Sequence, residues 1–234
     1  MNKTKFLYMA IPFFLIGLFS IVLYIFMEFQ PRIRITPIGR IIILGIFCLF
    51  TYLVSFLLCK AEKDKKENIM KCTFAVYFIL YLGLLLNFTL FDPMFARSGT
   101  GNTVFSDSNL FKNYMLNSFN IIPFSTISMY LNSYSSHEMN FSVIITNIFG
   151  NLIALTPMAL FLPMLIKKCN KTVIFTLITT IAVIAIELLQ LIFVSGSCDI
   201  DDLILNVLGA VIAYALLHIK SINKLIQKIT IVEF

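Results

Sequence analysis

The stretch Ser195–Lys220, SGSCDIDDLILNVLGAVIAYALLHIK, decides the fold class. Asp199, Asp201 and Asp202 stand directly before an apolar run over 202–219 that closes on Lys220. The hydrocarbon core of a bilayer needs roughly 20 residues of apolar helix to cross it. Carboxylates before the run and a lysine after it therefore mark the two ends of a membrane helix.

Working outward, five more runs have the same character, at 6–28, 38–59, 72–91, 141–166 and 172–194. Of the 234 residues 59% are hydrophobic and only 13% charged, which excludes a soluble globular domain of ordinary usage. The expected fold is all-α, a polytopic membrane helical bundle of about six transmembrane helices, multi-pass in the cell membrane. The first run follows Lys3 and Lys5 but is too long for a signal peptide and has no small-x-small cleavage pattern, so it reads as a retained helix.

The net charge of +6 does not point to nucleic acid, because the basic residues sit in short runs beside the apolar segments. They set topology instead. With the N-terminus inside, all but five of the 18 Lys and Arg residues fall on the cytoplasmic side, the exceptions being Arg32, Arg34, Arg40, Arg97 and Lys112. The positive-inside rule then predicts both termini in the cytoplasm and the aspartates facing outward.

Three parts follow. Residues 1–71 hold two additional N-terminal transmembrane helices and a charged cytoplasmic loop containing KAEKDKKENIMK. Residues 72–219 form a core with a long extracytoplasmic loop at 92–140, interrupted by Gly99, Gly101 and Pro123 and rich enough in aromatic and branched residues to fold back on the outer membrane surface. Residues 220–234 are a basic amphipathic tail in which Ile222, Leu225, Ile226 and Ile229 alternate with lysines, suited to lie on anionic membrane lipids. There is no internal repeat of the kind that builds paired-half transporters.

Polar groups inside spans are costly, so they are functional candidates by default. The fourth run carries Asn147 and Asn151 at i,i+4, and the fifth carries Glu187 and Gln190 at i,i+3. The sixth begins at the aspartates and passes through Asn206, and Asn87 and Asp92 stand at the outer end of the third. Four helices thus aim polar residues at one depth, either as a ligand site or as a hydrogen-bond network that only holds the bundle together. Within the last helix, Asp199, Asp202, Asn206, Gly209 and Ala213 form one stripe, whose lower part is a small-residue packing surface. Asp199 suits a helix cap, and Asp201, off the stripe, suits a cap or a surface position.

The chemistry that this pattern leaves out is also informative. There is no Ser-His-Asp order, no G-x-S-x-G and no phosphate-cradling glycine loop. Carboxylates with amides could suit a hard cation, but their spacing is unspecific, and His137 and His218 fall on opposite sides of the membrane, so no metal and no cofactor is expected. Cys48, Cys59, Cys72, Cys169 and Cys198 contain no CxxC and outline neither a disulfide framework nor a thiolate site. Glu187 and Asp202 could serve as an acid–base pair on a lipid-linked substrate, but no nucleophile is identified, and enzyme activity stays open.

Four motifs in order, NIIPFSTI from Asn120, NIFGNLIALTP from Asn147, IELLQ from Ile186 and DIDDLILNVLG from Asp199, resemble the VanZ-like membrane proteins. That family is named for a protein linked to teicoplanin resistance in Gram-positive bacteria. The resemblance covers about residues 72–219. It implies a role in glycopeptide antibiotic resistance or cell-envelope homeostasis through an outward-facing polar intramembrane site. The matched polar set is Asn120, Asn147, Asn151, Glu187, Gln190, Asp199, Asp202 and Asn206, with Pro123, Pro157 and Gly209 as backbone determinants. The partners implied are membrane lipids and a cell-wall precursor, lipid-linked glycan or glycopeptide ligand. The alternatives are an intramembrane enzyme modifying a lipid-linked envelope precursor, or a structural partner of a membrane complex. One departure stands out: many relatives carry an arginine just before the aspartates, where this chain has Ser195, Gly196, Ser197 and Cys198, which leaves Arg97 or Lys112 to substitute or implies a different ligand.

The expected topology is tested by cysteine accessibility. In a cysteine-free background, a cysteine at Ser197 should react with an impermeant maleimide in intact cells, and one at Lys224 only after lysis. The reverse pattern would overturn the orientation.

Overall fold

The computed structural model describes residues 3–30, 33, 35–91, 108–136 and 140–232. Arg32, Arg34, Asp92, Arg97, Gly99, Gly101 and His137, all used in the sequence reading, lie outside the described residues. Among the described residues six helices are long and apolar enough to cross a membrane: Lys3–Phe29, Pro37–Ala61, Lys63–Phe91, Phe141–Leu165, Thr172–Ile192 and Ile200–Leu217. The protein is an all-α membrane bundle whose spans start and stop close to where the hydropathy pattern put them.

The chain divides into two compact units, Met1–Tyr81 with Gln227–Glu233, and Leu82–Ile226 with Phe234. In the first unit, α1 (Lys3–Phe29) and α2 (Pro37–Ala61) form a hairpin packed along its length. The start of α2 is written locally. Pro37 occupies the first turn, where no backbone N–H is needed, and the Thr36 hydroxyl accepts the Gly39 N–H at 3.1 Å. Across the hairpin, the Arg40 guanidinium grips Glu28 in a two-pronged pair, with both N–O distances 3.1 Å. The first part of α3 (Lys66–Leu86) joins α2 through hydroxyl pairs, Ser55 with Thr73 at 2.7 Å and Thr51 with Tyr77 at 2.9 Å. Such pairs hold helices together where lipid removes any hydrophobic drive between them.

In the second unit, α3 runs into a single π-helical stretch, Asn87–Phe91. The segment read as a long loop carries structure: α4 (Ser108–Asn117), strand β1 (Phe119–Asn120) and α5 (Ser125–Ser135). β1 pairs in parallel with β2 (Cys198–Asp199), Phe119 opposite Cys198 and Asn120 opposite Asp199. The fourth span is two helices, α6 (Phe141–Ala154) and α7 (Met158–Leu165). Between them lies a turn at Pro157, which has no N–H to continue the ladder. After it come α8 (Thr172–Ile192), α9 (Ile200–Leu217) and the amphipathic α10 (Lys220–Thr230).

α9 is the central helix of this unit, packed against α6, α7 and α8. Phe175 of α8 stacks on Tyr214 of α9 with ring centroids 4.4 Å apart, and the Tyr214 hydroxyl donates to the Asn170 carbonyl at 2.8 Å. At Gly209 the α9 backbone meets that of α6: a Cβ there would lie 1.7 Å from the Leu152 carbonyl oxygen and 2.7 Å from its carbon. The expected small-residue packing surface therefore falls on Gly209, while Ala213 is only half-buried. Large apolar side chains such as Ile153, Ile181 and Leu216 cover the outer faces, as expected of a surface solvated by lipid tails.

A methyl group at Gly209 would press on backbone, which cannot swing aside as a side chain can. Overpacking typically costs about 1–3 kcal/mol, and Gly209→Ala should fall at or above the top of that range. It should lower the unfolding temperature in detergent and the amount of protein in the membrane. Gly150→Ala, where nothing lies within 4 Å of the added Cβ, should change neither.

Candidate functional site

The geometry of the site begins with a helix that cannot cap itself. α5 starts after Pro123 with Phe124 in the N-cap position, in a left-handed conformation (φ 65°) and without a side-chain cap. The missing acceptor comes from the other end of the sequence. One carboxylate oxygen of Asp201 accepts the Phe124 N–H, and the other accepts those of Thr126 at 2.9 Å and Ile127 at 3.1 Å. Asp201 is the most buried of the three aspartates, 1% exposed, which corrects its reading as a surface candidate. It is a cap, but of α5 rather than of its own helix. Three N–H donors at a positive helix end are what allow a carboxylate to be buried there.

Asp199 caps its own helix. One oxygen accepts the Asp201 N–H at 2.9 Å and the Asn120 amide at 3.1 Å, and the other accepts the Thr126 hydroxyl. Asn120 also donates to Thr126 at 2.8 Å, and its carbonyl accepts the Ser125 hydroxyl at 2.9 Å and the Ile122 N–H at 3.2 Å. Behind them Glu187, 5% exposed, accepts the Asp199 N–H at 3.2 Å. The Cys198 N–H donates to the Ser118 carbonyl at 2.8 Å, and the Tyr114 hydroxyl donates to that of Gly196. The segment 108–136 is thus bolted to the α8–α9 connection by backbone pairing and two buried aspartates.

This bolting leaves a polar cavity of about 410 Å³. Of the eight residues singled out in the sequence, Asn120, Asn147, Asn151, Gln190, Asp199 and Asp202 line it. Asn151 donates to the Asp202 carboxylate, joining α6 to α9, and Gln190 donates to the Thr89 carbonyl in the π-helical stretch at 3.3 Å. The Asn147 amide turns back to the Val143 carbonyl of its own helix at 2.8 Å. Glu187 and Asn206 do not line the cavity. Glu187 supports the lining from behind, and the buried Asn206 amide donates to the Asp202 backbone carbonyl at 2.8 Å. Asn87 does not reach the cavity lining either, and its side-chain oxygen is buried without a hydrogen-bond partner. His218 lies at the C-terminal end of α9, away from the aspartates at its start.

Among the described residues no group of three or more His, Cys, Asp or Glu side chains is placed to hold a metal ion. Cys198, beside Asp199, is not activated as a nucleophile: burial, with the charges of Glu187 and Asp199, pushes its thiol up from the ordinary value, so it stays protonated at neutral pH. The groups that face the cavity are amides, hydroxyls and the carboxylates of Asp199 and Asp202, all able to hydrogen-bond.

The profile of the VanZ/LLP1 family matches residues 78–221, more than half of the chain. The chain belongs to the VanZ/LLP1 family. No curated protein and no solved structure matches it. The matched residues contain all eight of the singled-out polar positions and the whole of the cavity lining, whereas α1 and α2 lie outside the match.

Four features escaped the sequence reading: Thr126, Ser118, Tyr114 and the fact that the helix Asp201 caps is α5. Thr126 lies inside the NIIPFSTI motif, six residues after Asn120, and could have been found there as a hydroxyl at a helix start. The partner of Asp201 could not, because its acceptors' donors are backbone groups about 75 residues away in the chain.

Removing the Asp201 carboxylate should loosen α5 specifically. Loss of a helix cap costs about 0.5–2 kcal/mol and a buried unsatisfied donor about 1–3 kcal/mol. Asp201→Ala should therefore speed hydrogen exchange at Thr126 and Ile127 by about tenfold or more, at roughly 1.4 kcal/mol per tenfold. Exchange in α8 should stay unchanged, and Asp201→Asn, which keeps one acceptor, should show a smaller effect.

Proposed function

We propose that this multi-pass membrane protein contributes to teicoplanin-type glycopeptide resistance or cell-envelope homeostasis by binding an envelope component in the polar cavity, which faces outward. The observation that carries the reading is the concentration of amide, hydroxyl and carboxylate groups around one cavity of about 410 Å³, within the family-matched core. That volume lies within the about 300–1,000 Å³ range of small-molecule sites.

The outward direction is supported by charge. The cavity lies where α8 ends and α6 and α9 begin, and the opposite ends of these helices carry Lys167, Lys168, Lys171 and Lys220. Lysines at that end favour the cytoplasmic side. A membrane anchored this way presents the cavity to the space where glycopeptides and cell-wall precursors are found.

The test uses a strain lacking the chromosomal gene and complemented by variants. Asn147→Leu and Asp202→Asn, at unchanged membrane abundance, should bring the teicoplanin inhibitory concentration down to that of the deletion strain. Asn147 bonds only to its own helix, so its variant separates ligand contact from folding. Full resistance with both variants would sink the proposal.

A further inference from the structure

Building on the reading of the cavity as a ligand site, we infer that its ligand is a neutral, polyhydroxylated group, a sugar ring, and that the ligand extends from the cavity along α5.

The first reason is what the chain has already used up. Two helix N-termini flank the cavity, those of α5 and α9, and free helix N-termini are ready-made anion sites. Each already holds one of the chain's own carboxylates: Asp201 takes the N–H groups of Phe124, Thr126 and Ile127, and Asp199 takes that of Asp201. Among the described residues lining the cavity there is no Lys or Arg, the side chains that hold phosphate and carboxylate groups. A phosphate would meet Asp199 and Asp202 with no compensating donors from these helix ends.

The second reason concerns the carboxylates. Both oxygens of Asp199 already accept hydrogen bonds, from Asn120, the Asp201 N–H and the Thr126 hydroxyl. Asp202 accepts from Asn151. These bonds take up part of each carboxylate's acceptor capacity, and what is left can accept from a ligand hydroxyl. The carboxylates therefore act as struts of the lining.

The rest of the lining includes amides and hydroxyls, Asn147, Gln190, Ser125 and Ser197, of which the first three each donate one bond within the chain and keep acceptor capacity beyond it. Each both donates and accepts, which matches groups that do the same, and a ring bearing several hydroxyls is the compact ligand of that kind. Tyr130 and Met129 supply an apolar wall for the C–H face of such a ring.

The third reason is continuity. A second, more open hollow of about 560 Å³ lies along α5, lined by Ser125, Ser128, Met129, Asn132, Ser133 and Ser136. It shares Ser125 and Met129 with the cavity. Among the described residues hydroxyls and an amide repeat along this face without a charge, so a further ring linked to the first would meet the same chemistry.

Binding is measured on the purified full-length chain in nanodiscs by saturation-transfer NMR and titration. The probes are N-acetylglucosamine, triacetylchitotriose and a panel of methyl hexosides, with inorganic pyrophosphate and spermidine as anionic and cationic competitors. A sugar of the panel should bind, and pyrophosphate and spermidine should not displace it. Asn147→Leu should weaken every sugar by about tenfold, the loss of one hydrogen bond in a partly closed site. Asn132→Leu should weaken triacetylchitotriose but leave N-acetylglucosamine unchanged. Binding of pyrophosphate or spermidine in place of the sugars overturns the sugar assignment while leaving the cavity a ligand site. No binding by any probe to protein with an unaltered melting profile overturns the assignment and counts against the site itself. Sugar binding together with unchanged teicoplanin resistance in the cavity variants would uphold the assignment and defeat the resistance role alone.

Discussion

The carboxylate of Asp201 holding the N-terminus of α5 is the constraint on which the candidate site depends. α5 has 11 residues, and isolated helices shorter than about 12–15 residues are marginal. Its N-cap residue is a phenylalanine with no side-chain acceptor and a left-handed backbone, a conformation that persists only where the surroundings over-determine it. Asp201 supplies that determination. In return the N–H groups and the positive helix end stabilise a carboxylate that is almost wholly removed from solvent.

From this contact the rest of the site follows in order. With α5 held, Thr126 lies against Asp199 and Asn120 lies opposite Asp199 in the two-strand pairing. Asp199 in turn orders the first turn of α9, with Glu187 accepting its N–H from α8. The backbone contact at Gly209 sets how close α9 comes to α6, and hence whether Asn151 reaches Asp202. A polar cavity persists because its walls are cross-linked by hydrogen bonds between α5, α6, α8 and α9, with amides, hydroxyls and the carboxylates of Asp199 and Asp202 at the surface of the hollow. The two sequence motifs NIIPFSTI and DIDD are, physically, the two halves of one joint.

The division of labour among the polar residues also became definite. Glu187, the costliest residue to place within a span, braces a backbone and does not line the cavity. Asn206 likewise serves its own helix. Both would look like site residues on any helical wheel, because a wheel gives the face of a side chain and not what stands between it and the hollow. Thr126 and Ser118 show the converse: ordinary polar residues in a segment of mixed composition, they matter because β1 pairs with β2.

The six spans, their approximate limits and the all-α bundle were determined by the sequence alone, because a bilayer demands roughly 20 consecutive apolar residues and permits little else. The convergence of Asn147, Asn151, Gln190 and Asp202 was legible for the same reason, since depth along a span follows directly from position. What only the tertiary structure decided was that residues 108–136 form two helices docked on the α8–α9 connection, and that Asp201 caps a helix about 75 residues earlier in the chain. Outside the hydrocarbon a segment can satisfy its backbone in many ways, through water, its own turns or a distant carboxylate. No local pattern chooses among them, and the choice is made by which groups the packed helices bring together.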